Sequence, residues 1–175
     1  MEILGTLIKQ GLTFRKNIGK VRRKSSAAKQ QRKTLLKLLT KARYTQFGQH
    51  FEFDSILLAT NPEKMFQKLV PIYDYDKIFE DWWHKALQNE KDVCWPGKIK
   101  YYALSSGTSG APSKQIPVTS AMLRSMRKTT IRQILSLTNY GFQEDFFQKG
   151  IMIIGGSSDL QNMGHYYQGD LSGIN

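Results

Sequence analysis

The residues best equipped for chemistry in this chain lie in one short stretch, Ser105 to Lys114. Ser105, Ser106, Thr108 and Ser109 carry hydroxyls that can donate to phosphate oxygens, as can the exposed backbone N–H groups of such a loop. Gly107 and Gly110 let the backbone turn sharply and come close to a ligand. Lys114 adds a mobile positive charge at the far end. Together these donors suit a triphosphate. The stretch is not a Walker A loop, which needs Gly directly before its Lys and a helix directly after it. Here Ser113 precedes Lys114, and Gln115 to Val118 reads as a strand. Ser/Gly composition alone also fits a flexible hairpin loop. The ordered string Ser-Ser-Gly-Thr-Ser-Gly, followed four residues later by Lys and set between two strands, is far more specific.

Other chemistry-bearing residues are sparse. Cys94 is the only cysteine, so no intrachain disulfide can form and a reducing cytoplasm is the natural setting. No flanking base or Gly-rich turn supports it as a nucleophile. His50, His84 and His165 are isolated and show no metal-ligand spacing with Cys94 or with each other, so no metal-binding histidine is assigned. The paired Trp82 and Trp83 read as core and interface anchors, with stacking on a ligand as the alternative.

The loop needs elements to hold it. Tyr-rich Lys100 to Leu104 predicts a strand before it, and Gln115 to Val118 a short strand after it. Thr119 or Ser120 then caps a long helix with Met122, Leu123, Met126, Ile131, Ile134 and Leu135 on its buried side. Gly150 opens a buried strand, Ile151 to Ile154, and the Gly- and polar-rich residues 157–175 read as irregular, without a closing element. Upstream, residues 3 to 23 predict an amphipathic helix. A second helix from Ala27 to Tyr44 sets Leu35, Leu36, Leu38, Leu39 and Ala42 inward, with Gly48 as a stop. Residues 51 to 91 divide into short helices. Asn61-Pro62 starts one that Pro71 ends, and Asp74 or Asp76 caps the next. Trp95-Pro96-Gly97 marks a turn. The whole is a mixed α/β chain.

The bulk numbers fit that reading. The chain has 175 residues, 40% of them hydrophobic, enough for a real core and against disorder. No apolar run approaches the ~18 residues needed to span a membrane. Met1 is followed by Glu2, and the apolar stretch stops at Lys9, which does not read as a secretory signal. The formal charge is +12, and residues 1 to 43 hold thirteen Lys and Arg against the single acid Glu2. The basic character therefore belongs to one segment. An anionic membrane or nucleic-acid surface is one reading of it; solvated faces of two docked helices is the other. Only Phe14 is aromatic before Tyr44, which gives single-stranded nucleic acid no stacking platform.

The loop resembles the first motif of the acyl-adenylate-forming superfamily that includes luciferases and acyl-CoA synthetases. It is most similar to that of the auxin-responsive acyl-acid amido synthetases, which read Ser-Ser-Gly-Thr-Ser-Gly-Gly-x-x-Lys. Ala111 stands where that family has the last Gly of this string. Leu69-Val70-Pro71-Ile72-Tyr73-Asp74-Tyr75-Asp76 is similar to a family segment upstream of the loop. Gln115-Ile116-Pro117-Val118-Thr119 is similar to the family's segment directly downstream of the loop, and Lys149 to Ile154 to the next strand. Lys41 to Phe53, with Thr45-Gln46-Phe47-Gly48, also looks familial.

The resemblance implies an α/β fold in which 49–175 is an incomplete part of a large ATP-binding domain, preceded by the basic helical arm over 1–48. It implies ATP and Mg2+ as cofactors, with a carboxylic acid and an amino acid as substrates. The phosphates would be held by Ser105, Ser106, Gly107, Thr108, Ser109, Gly110 and Lys114. No catalytic base is identified. The family's downstream motifs and C-terminal domain are not in these residues, so the chain alone is expected to be inactive and the parent to continue beyond Asn175. A non-enzymatic α/β module whose basic arm binds a membrane surface or nucleic acid is the alternative.

Overall fold

Local signals set several of the helix starts. The computed structural model describes residues 2–21, 26–105, 113–150 and 155–174. The Ser26 hydroxyl accepts from the Lys29 N–H at 3.3 Å and opens α2 (Ala27–Ala42). Asn61 accepts from the Lys64 N–H at 3.0 Å, with Pro62 at the first position of α5 (Pro62–Leu69). These side chains satisfy N–H groups that have no partner inside the helix. Between them lie α3 (Gln46–His50) and α4 (Phe53–Leu58). Of the two candidate caps for α6 (Tyr75–Ile78), Asp74 serves, accepting from the Lys77 N–H at 2.8 Å. A π-helical turn, Phe79–Trp83, carries that helix into α7 (His84–Leu87).

The chain divides into two units, and this run of short helices belongs to the larger, residues 26–119 and 157–174. Its core gathers Leu39, Ala42, Phe51, Phe53, Ile56 and Trp82. Phe47 is the aromatic hub, with ring centroids 4.6 Å from Phe51 and 5.1 Å from Trp82. Leu38, expected on the inner side of α2, is instead 47% exposed; α2 buries only a narrow stripe of Leu39 and Ala42.

The same unit holds a four-stranded mixed sheet in the order β2-β1-β4-β3. β1 (Tyr101–Leu104) and β2 (Gln115–Val118) pair antiparallel, as the sequence leads one to expect of the strands flanking the loop. β3 (Gln161–Asn162) and β4 (Tyr167–Gly169) arise from the stretch read as irregular. β4 pairs parallel to β1, and β3 antiparallel to β4. The final helix α9 (Leu171–Ile174) also corrects that reading. Strands of two or three residues carry no periodic signal; their order comes from long-range pairing. The strand expected over Ile151 to Ile154 lies outside the described residues.

The second unit takes residues 1–25 and 120–156. α1 (Glu2–Val21) and α8 (Ser120–Ser136) are its helices, followed by 3-10 turns at Leu137–Asn139 and Glu144–Gln148. Gly5 is buried, and a Cβ there would sit 2.2 Å from the Glu144 carbonyl oxygen. Lys9 donates to the Glu144 carboxylate at 3.0 Å and to the Phe142 carbonyl at 3.2 Å, and Lys16 to the Asn139 side chain at 2.9 Å. The small and polar side of α1 therefore faces its own unit. Its apolar side, with Ile3, Leu4, Leu7, Phe14 and Ile18, is exposed. On α8, Leu123 is buried, whereas Met122 and Ile131, expected inward, are exposed. No helix among the described residues is long and apolar enough to cross a membrane.

Candidate phosphate-binding site

Leu104 and Gln115 face each other in the β1–β2 register. One rung further, the Ser105 N–H donates to the Lys114 carbonyl at 3.0 Å. The loop thus leaves and returns through a mouth formed by Ser105 and Lys114. Both are sequence-predicted phosphate contacts, and the structure sets them side by side. Ser106, Gly107, Thr108, Ser109 and Gly110 lie outside the described residues.

Lys114 is exposed and makes no ion pair among the described residues; its ammonium lies 4.7 Å from the centroid of the Tyr75 ring. Pro71 cannot extend α5, and the chain runs without helix until Asp74 caps α6, so Tyr75 is the first residue of that helix. Its hydroxyl accepts from the Gln115 N–H at 2.9 Å. The Gln115 side chain donates to the Gln168 side-chain oxygen at 2.6 Å and to the Tyr166 hydroxyl at 3.3 Å. The first residue of β2 is therefore held from α6 on one side and from β4 on the other. Sequence reasoning assigned no function to Tyr75 or Gln115. The signal was present all the same, since both sit in the two family-like segments that flank the motif.

Behind β2 lies a cavity of about 150 Å³ lined by Trp83, Ala86, Glu90, Val93, Cys94, Trp95, Gly97, Ile99, Pro117 and Thr119. Trp83 serves both places: it lines the cavity and meets Tyr75 edge-on at 6.0 Å. Trp82 is the core anchor, and its indole N–H donates to the Tyr73 hydroxyl at 3.1 Å. Burial pushes the Cys94 thiol up to about 12, against a smaller opposing pull from the Lys85 cation. Cys94 is accordingly a neutral apolar-site thiol. Tyr102 on β1 is fully buried with its hydroxyl unpartnered, and burial holds its acidity well below that of a free tyrosine.

His50 packs on Phe51 and Trp82, and His84 Nδ1 lies 3.1 Å from the Phe79 carbonyl. No group of three His, Cys, Asp or Glu able to hold a metal occurs among the described residues.

At the loop mouth the described side chains offer a hydroxyl, on Ser105, and an ammonium, on Lys114, with no carboxylate paired to that ammonium among the described residues. That chemistry attracts an anion with several oxygens. In comparison with known proteins, one family model matches, described as the GH3 family N-terminal domain and covering residues 18–173. No curated protein and no solved structure matches.

Proposed function

The chain belongs to the GH3 family, the auxin-responsive acyl-acid amido synthetases, and from that premise we propose that its loop from Ser105 to Lys114 holds the phosphates of ATP while a carboxylic acid is adenylated. The carboxylate attacks the α-phosphate and pyrophosphate departs. The amine of an amino acid then attacks the acyl carbon and releases AMP. The nucleotide-binding work falls to residues 49–175.

The observation that carries this reading is the pairing of Ser105 with Lys114 across the loop mouth, with the Lys114 charge unneutralised. Negative charge grows on the leaving phosphates as the bond breaks, and a fixed cation beside them lowers the barrier. No residue need act as a base, because a carboxylate nucleophile is already deprotonated. Magnesium would enter with the nucleotide and would offset charge on its phosphates; the described side chains at the mouth, Ser105 and Lys114, suit the anion rather than the metal.

The test is carboxylate-dependent exchange of labelled pyrophosphate into ATP by an enzyme carrying this domain. Lys114→Ala should lower the exchange rate by roughly a hundredfold, about 3 kcal/mol in the transition state, with little change in melting temperature. Ser106→Ala should lose less, since a neutral donor is weaker than a charged one. Wild-type exchange in both variants would reduce the loop to a structural hairpin.

A further inference from the structure

We propose that Tyr75 is a positioning residue for the phosphate loop, its ring holding the Lys114 ammonium in place without neutralising it and its hydroxyl fixing the strand from which Lys114 projects. The inference rests on reading the loop as a phosphate cradle. An exposed lysine at a loop end is ordinarily either free to sample many rotamers or paired with a carboxylate. Free, it loses conformational entropy when it meets a ligand. Paired, its charge is already spent, and an incoming phosphate must displace the carboxylate. Lys114 does neither. It lies 4.7 Å from the centroid of an aromatic ring, which attracts a cation through its quadrupole and carries no net charge. A phosphate approaching the mouth meets a cation that is held in place and still whole.

The ring itself cannot swing away. Phe79 stacks on it at 5.8 Å with an interplanar angle of 25°, and Trp83 meets its edge at 6.0 Å. The opposite end is tied by the hydroxyl to the Gln115 N–H at 2.9 Å, with the Gln115 carbonyl at 3.5 Å. Gln115 is the residue next to Lys114, so one side chain grips both the backbone at the lysine's root and the ammonium at its tip. These are two separable tasks. The ring acts on the cation, and the hydroxyl on the strand.

The experiment titrates the chain with inorganic tripolyphosphate by calorimetry, which reads the phosphate cradle without the adenine. Tyr75→Leu should bind about two- to fivefold more weakly, the size of an exposed cation–π contact. Tyr75→Phe keeps the ring and should bind within about twofold of wild type while melting lower. Lys114→Ala should lose about tenfold or more. Adding Tyr75→Leu to Lys114→Ala should cost no more than Tyr75→Phe costs alone, because the ring acts only through the cation and the share of the hydroxyl is read from the phenylalanine variant. Additive losses in the double variant, or unchanged affinity in Tyr75→Leu, would overturn the positioning role while leaving the cradle standing. Absence of tripolyphosphate binding by the wild-type chain would remove the cradle and the inference together. A second measurement reads the wild-type fold directly. After reductive 13C-methylation, the Lys114 methyl signal, assigned by its absence in Lys114→Ala, should lie upfield of the other lysines because of the ring current. A Lys114 signal among the ordinary lysines would also overturn the proposal.

Discussion

Cys94 shows how far a residue's chemistry depends on where it is buried. The sequence marks it as a lone thiol and nothing more, because Trp83, Ala86, Pro117 and Thr119, which wall its cavity together with its near neighbours, lie well away from it along the chain. Burial raises it from the ordinary 9.0 to about 12. In the unfolded chain the thiol loses its proton near the ordinary value, whereas the folded chain keeps it. Between about pH 9 and about pH 12 the unfolded state therefore binds fewer protons, and stability falls as pH rises. The slope from this group is at most about 1.4 kcal/mol per pH unit. Urea unfolding at pH 8 and pH 10.5 should show a steeper loss for wild type than for Cys94→Ala. Equal losses would mean the thiol titrates normally in the fold.

At the scale of elements, the segment Thr45-Gln46-Phe47-Gly48 turns out to do structural work. The Thr45 hydroxyl donates to the Ala42 carbonyl at 2.6 Å and accepts from the Gly48 N–H at 3.0 Å, so one buried side chain closes α2 and opens α3. The Gln46 and Phe47 N–H groups donate to the Asp92 and Val93 carbonyls at 2.8 and 2.9 Å. A Cβ on Gly48 would meet the Ala42 carbonyl oxygen at 2.1 Å, so the corner needs glycine for closeness. Thr45→Ala should destabilise the fold by about 1–2 kcal/mol in denaturant unfolding, with Thr45→Ser recovering most of it. An unchanged midpoint for Thr45→Ala would refute the capping role.

The same scale separates what the sequence could tell from what it could not. Asn61-Pro62, Asp74 and the strands around the loop were legible, since caps and hairpin ladders are made by near neighbours. β4 was not, because Tyr167 to Gly169 become a strand only by pairing with Tyr101 to Ala103, over sixty residues away. The loop motif was legible as a string. The grip of Tyr75 on Lys114 was not, since it joins a helix start to a strand start across 39 positions.

At the scale of the whole chain, charge and burial divide differently from the order of the sequence. The unit of residues 1–25 and 120–156 carries twelve Lys and Arg against three acids, most of the formal charge of +12. Its helix α1 was legible as an amphipathic element, and its period of apolar residues is real. The direction of that face was not legible. Gly5 and the two bonded lysines, Lys9 and Lys16, select the polar side for contact, and no periodicity argument weighs a missing Cβ against a row of leucines.

That outward row makes α1 the handle by which an apolar matrix would take hold of this chain. Ammonium sulfate strengthens the adhesion of exposed apolar surface by being excluded from it. On a phenyl column run down a sulfate gradient, the chain should be retained chiefly through Leu7, Phe14 and Ile18, which stand 60%, 70% and 46% exposed. Leu7→Gln combined with Phe14→Gln should elute at distinctly higher salt. Melting should hardly change, because exposed side chains cost under about 0.5 kcal/mol each. Identical elution of the two proteins would mean that retention is set by some other surface. The purification behaviour of this chain is thus written in Gly5, Lys9 and Lys16, which turn the polar side of a helix inward.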